Sequence, residues 1–280
     1  MSEGPTARRR RLGQVLKQHR EQAEMSIEAA AKAAGISGPH LSRIERARVG
    51  VRVPVVKLLL QTYRADPETI EEMVEIAGIK GDRGWWHDFP SINRPYQTLI
   101  GFEAVASTIR NYEPFIVPGL LQTEEYARAL LQRGPARLSE ETISERIAVR
   151  TQRQAILDRD NPPVLSFVLD EAVIRRPVGG PDVMRQQLQH ILDVATRPNV
   201  DVAVIPFAVG AHPGSLGSFV IHSFAPGERD AIYIEGMAGD LYPERRVEWY
   251  IDVFNRLQSI ALNDVDSAHF IRKATEEMKK

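Results

Sequence analysis

The chain contains no cysteine, which excludes disulfides, thiolate zinc sites, iron–sulfur clusters and cysteine nucleophiles together. Long hydrophobic runs are missing too. The most apolar stretches, VLSFVL and VDVAVIPFAVGA, fall well short of the roughly 18 residues that a membrane span needs. No apolar segment follows the basic start MSEGPTARRRRLGQ, so it does not read as a secretory signal. Aromatic residues are sparse at 7%, but 43% hydrophobic and 26% charged residues are ordinary for a folded protein and argue against disorder. The expectation is a cytoplasmic protein with no membrane contact. A length of 280 residues fits about two domains.

Net charge is nearly absent, at −1, but it is unevenly spread. Residues 1–65 hold 13 basic and 5 acidic residues, a balance of +8; the rest holds 23 and 32, a balance of −9. A basic head on an acidic body points to a head that meets a polyanion.

The head reads as helical. Leu12, Val15, Leu16 and His19 recur at three- and four-residue spacing and make one apolar stripe. Ser26 stands at an N-cap before the alanine-rich run 27–34, and Gly35 follows it. Ser37 is a second N-cap, and Pro39 lies in the first turn, where its missing N–H costs nothing. Further helices are expected at 55–63 and 67–77, giving five in all. In IEAAAKAAGISGPHLSRIER the small Ala31 lets two helices approach, and Gly35 supplies a left-handed turn. Ala30, Ala34, Ile36, Leu41 and Ile44 then face inward. Gly38, Pro39, His40, Ser42 and Arg43 are left on the outer face, which fits a major groove.

This segment resembles the Xre, or lambda-repressor-like, helix-turn-helix class over residues 11–78, including the string LSRIERAR. The resemblance implies double-stranded DNA as partner. It has Ile27 where that class often has a phosphate-contacting Gln, and Gly38 where it often has a polar reader. Base reading therefore falls to His40 and Arg43. Arginine pairs with guanine in bidentate fashion, although a solvated ion pair with Glu45 or a neighbouring acid would also account for Arg43. Ser37 serves first as a cap and also reaches phosphate. Arg46, Arg48, Arg52 and Lys57 are expected against the DNA backbone, and residues 8–11 as a basic arm.

The composition then shifts. Residues 81–95 read as a linker, with Trp85 and Trp86 packed against one domain. Strands are expected at 163–169, 200–206, 218–224 and 231–235. Helices are expected at 96–111, 123–131, 140–158, 181–196, 243–262 and 267–278. The architecture is thus a helical domain at 1–80 and a mixed α/β domain at 96–280, with a small sheet covered by helices.

The strings FIVPGLLQTEEYARALL, RQAILDRDNPPVLSFVLDEAVIRRPVGGP, VDVAVIPFAVGAHPGSLGSFVI and LQSIALNDVDSAHFI resemble, in order, one uncharacterised domain. It follows an Xre-type head in many actinobacterial regulators, the WhiJ-like group. The resemblance implies a transcriptional regulator, often encoded beside a small partner protein in an antitoxin-like pairing.

Catalysis is not expected. HExxH, GxSxG, P-loop and GxGxxG motifs are absent. Asp170 and Glu171 end a strand, and His212, His222, Glu235 and Asp240 assemble into a metal or acid–base site only on paper. No cofactor is implied. VPGLLQTEEY suggests a turn and a helix capped by Thr123, or a partner-binding groove anchored by Leu120, Leu121 and Tyr126. A homodimer is expected, because one short recognition helix makes few base contacts and two-fold symmetry doubles them at half-sites about 34 Å apart.

Overall fold

A computed structural model describes residues 5–78, 85–225, 228–236, 243 and 246–278. The linker residues 81–84 and the candidate ligand Asp240 therefore lie outside the described residues. The chain divides into two units, Met1–His87 and Asp88–Lys280.

Among its described residues the first unit holds five α-helices: α1 (Pro5–Gln22), α2 (Ile27–Ala33), α3 (Gly38–Glu45), α4 (Val53–Thr62) and α5 (Pro67–Gly78). Ser26 and Ser37 cap α2 and α3, accepting from Ala29 N at 3.1 Å and His40 N at 3.3 Å. The core gathers Leu16 of α1, Ala30 of α2, Leu41 and Ile44 of α3, Leu59 of α4 and Met73 of α5, all essentially inaccessible to solvent. The basic run 8–11, expected as an arm, lies inside α1. Its backbone continues the helix whose apolar stripe starts at Leu12.

In the second unit the elements run α6 (Arg94–Glu103), β1 (Thr108–Glu113), α7 (Glu124–Arg133), α8 (Glu140–Gln154), β2 (Val164–Asp170), α9 (Glu171–Arg175), α10 (Pro181–Val194), β3 (Val200–Ile205), β4 (Phe219–Ser223), β5 (Ala231–Tyr233), α11 (Val247–Ile260) and α12 (Asp264–Glu277). The strands form one sheet in the order β3-β2-β1-β4-β5. β1, β2 and β3 are parallel, with Asn111 opposite Phe167 and Phe167 opposite Val202. β4 and β5 are antiparallel additions, with Tyr112 opposite Phe219.

The helix expected at 96–111 ends at Glu103, and its last residues belong to the central strand β1. Polar Arg110 and Asn111 hide that strand in the sequence. Both find partners across the sheet: Asn111 Nδ2 donates to Phe219 O at 3.2 Å, and Arg110 Nη2 donates to Ser223 Oγ at 3.0 Å. Alternation then fills both faces. Phe167, Val202 and Val204 meet Leu188 and Ile191 of α10 and Ile271 of α12 in one core. Val168, Ala203 and Ile221 meet Phe254 and Leu257 of α11 in the other.

Candidate nucleic-acid interface

α2 and α3 cross at Gly35, whose φ of +67° is the left-handed turn that glycine adopts without strain. Gly13 of α1 lies against the end of α3; a Cβ there would stand 2.7 Å from Ile44 O and 2.8 Å from Glu45 O. Arg20 of α1 grips Glu45 in a bidentate, buried ion pair at 2.7 and 3.0 Å, and also donates to Met25 O at 2.9 Å. Glu45 raises the Arg20 pKa chiefly through that hydrogen bond. Packing and charge together fix how α3 is presented.

On the outward side, Ser37, Pro39 and Arg43 are exposed, while Gly38, His40 and Ser42 are half-buried. Arg43 and Glu45 do not pair: Glu45 is buried against Arg20 of α1, its side chain only 3% exposed, while Arg43 is exposed on the outer side of the same helix. Arg46 folds back on α3: its Nε donates to Ser42 O at 2.9 Å and its guanidinium reaches Ser42 Oγ. Arg48, Arg52 and Lys57 are exposed around the end of α3 and the start of α4. Sequence spacing did not reveal a carboxylate near the start of α3. A Cβ on Gly38 would come within 3.7 Å of Glu28 Oε1, a contact made by the α2–α3 crossing.

In the second unit Leu120, Leu121 and Tyr126 are buried in its own core, which removes them as surface anchors for a partner. The Tyr126 hydroxyl accepts from Val117 N at 3.0 Å, and Thr123 caps α7 by accepting from Tyr126 N at 3.3 Å. Gln187 of α10 clasps the turn, accepting from Thr123 N at 2.7 Å and donating to Leu121 O at 2.6 Å. Of the two readings of this segment, the packed turn with a capped helix is the one that the burial of Leu120, Leu121 and Tyr126 supports.

The polar residues at the strand ends hold the loop after β3. Asp170 caps α9 by accepting from Ala172 N at 2.8 Å and meets His212 Nε2 at 3.3 Å. Glu171 accepts from Phe207 N at 2.8 Å and from Arg175 Nε at 3.1 Å. His222 is fully buried on β4 opposite Ile109, its ring centroid 5.9 Å from that of Phe102. Glu235 is exposed beyond β5. Among the described residues no three His, Asp or Glu side chains gather as metal ligands.

The first unit, with its α2–α3 crossing and capped outer helix, is a helix-turn-helix domain; residues 11–73 match the family of that description. Residues 96–273 match the family described as Domain of unknown function (DUF5753), and the chain belongs to that family. No curated protein and no solved structure matches the chain. Among the described residues no helix is long and apolar enough to cross a membrane.

Proposed function

We propose that the chain is a sequence-specific DNA-binding transcriptional regulator of the Xre type, acting in the cytoplasm as a homodimer, by binding rather than by catalysis. One observation carries this reading: Arg20 sequesters Glu45, so Arg43 stands exposed on the outer face of α3 beside His40 with its acidic sequence neighbour occupied. Arginine in that position reads guanine in the major groove. Ser37, Gly38, Pro39 and Ser42 line the approach. Arg46, Arg48, Arg52 and Lys57 supply phosphate contacts that add affinity without sequence information. The head's +8 balance supports the same partner.

Fluorescence anisotropy on duplex DNA from upstream of the chain's own gene, against a scrambled duplex at several salt concentrations, tests this. The expected result is a site bound at least about a thousandfold tighter than the scrambled duplex. Equal weak binding to both, persisting with genomic fragments selected for binding, would overturn it.

A second reading draws on the −9 balance of the remaining chain. Its acidic surface would capture a small basic partner protein encoded nearby, as the WhiJ-like, antitoxin-like resemblance implies, with DNA binding secondary. Purification of the tagged full chain from its native host tests it, and absence of any stoichiometric small protein counts against it.

A further inference from the structure

We propose that Glu28 of α2 is a further base-reading residue beside Arg43, accepting from the amino group of a cytosine in the major groove. The inference rests on the DNA-binding reading above and names a feature of the duplex that the head selects.

The tip of α3 carries little chemistry of its own. A helix that enters the major groove in this way brings its N-terminal residues nearest the base edges. Here the first of them, Gly38, has no side chain, and the second, Pro39, offers an apolar ring and no N–H. The Ser37 hydroxyl is engaged as the cap, accepting from His40 N. A polar group reaches this tip from the neighbouring helix. Glu28 is the second residue of α2, and the α2–α3 crossing lays its carboxylate beside Gly38. A Cβ on Gly38 would stand 3.7 Å from Glu28 Oε1 and 3.9 Å from Glu28 Cγ. With no side chain at position 38 to cover it, Glu28 stays exposed.

Its charge is not neutralised within the head. Among the described residues no hydrogen bond or ion pair engages the Glu28 carboxylate, not even from Lys32 one turn along the same helix. Glu45 differs in this respect, being held by Arg20. A free carboxylate carried toward a polyanion weakens binding wherever it meets another acceptor. On the major-groove edge guanine presents N7 and O6 and thymine presents O4, all acceptors. Adenine presents an amino group beside the acceptor N7, which opposes the second carboxylate oxygen. Cytosine presents its N4 amino group, the donor that suits a carboxylate. Gly38 and Arg43 are five residues apart on α3, roughly 7.5 Å along its axis. The cytosine of Glu28 and the guanine of Arg43 therefore belong to different base pairs.

Selection of duplexes from a random-sequence library by the full chain tests the proposal, with the wild type beside Glu28→Gln, Glu28→Ala and Arg43→Ala. The wild type is expected to select a C·G pair at a position distinct from the one that Arg43→Ala releases. Replacing that pair by T·A should cost the wild type about tenfold in anisotropy titrations, and Glu28→Ala less than about twofold. Glu28→Gln, equal in size but uncharged, should turn the preference there toward adenine, whose N6 and N7 suit a carboxamide. An unchanged cytosine preference in Glu28→Ala would overturn the proposal, as would a selected site with no position sensitive to Glu28. A carboxylate near the amino end of α3 also suits the helix dipole. If that were its whole role, Glu28→Ala would lower the melting temperature and weaken all sites equally, and this pattern too would overturn the proposal. In each of these outcomes the Arg43-dependent guanine remains, and the DNA reading with it. A wild type that selects no sequence at all sinks both.

Discussion

Arg20 on α1 and Glu45 at the end of α3 form a bidentate ion pair, 2.7 Å from Nε to Oε1 and 3.0 Å from Nη2 to Oε2. Their side chains retain only 9% and 3% of their exposure. The pair occupies the carboxylate nearest in sequence to Arg43 and ties the proposed recognition helix to the helix behind it. One contact thus serves both stability and presentation.

Breaking this pair leaves a buried charge unmatched. Arg20→Ala or Glu45→Ala is expected to destabilise the first unit by about 3 kcal/mol, and Arg20→Met with Glu45→Leu to recover most of the loss. Hydrogen exchange of the α3 amides in the full chain reads this directly. Equal losses in the single and double variants would contradict the assignment.

Gly13 offers an uncharged probe of the same junction. Its added Cβ would meet backbone oxygens of Ile44 and Glu45 at 2.7 and 2.8 Å, and backbone cannot rotate away as a side chain does. Gly13→Ala gains about 1 kcal/mol of helix propensity, yet overpacking costs about 1–3 kcal/mol and is expected to win. A lowered urea midpoint for the first unit is the expected outcome; a raised one would show that α1 and α3 separate freely.

On the DNA-facing side the expected signatures differ by residue. Arg43→Ala should cost about 1–3 kcal/mol on the bound site and little on scrambled DNA, whereas Arg52→Ala should weaken both alike and lower the salt slope by about one. Anisotropy titrations at three or more salt concentrations distinguish the two patterns. Identical behaviour of the two variants would remove Arg43 as a reader.

A pH test addresses the second unit. Burial, with Glu235 adding like charge, pushes the Glu113 carboxyl from 4.5 up to about 8, against an opposing hydrogen bond from Asn111. The folded chain then keeps a proton that the unfolded chain has released. Stability from this group is complete below about 4.5 and is lost as pH rises through about 8. Glu113→Gln keeps the neutral form throughout. Its melting temperature should therefore gain on the wild type between about pH 5 and pH 9; a gap constant across that window would refute the shift.

Local signals made much of the fold readable. Ser26 and Ser37 cap helices because their hydroxyls lie one turn from unpaired amides, and Gly35 turns the chain because it lacks a Cβ. The strands β2 and β3 stand out as apolar runs since both their faces are covered. β1 did not stand out. Its Arg110 and Asn111 look like surface residues until Ser223 and Phe219, more than a hundred positions away, supply their partners. Leu120 and Leu121 read in sequence first as a packed turn and otherwise as anchors for a partner; their burial and the clasp from Gln187 show them to be core.

The sequence by itself determined the two-part composition, the caps, the Gly35 turn and the basic head, because each depends on residue type or on neighbours within about one helical turn. Tertiary structure alone decided that Glu45 belongs to Arg20 and leaves Arg43 unpaired with it, and that β1 is the central strand. These are pairings between distant segments. Which donor meets which acceptor, and which face meets water, is settled only when the chain closes its long-range contacts and every buried polar group must find its partner.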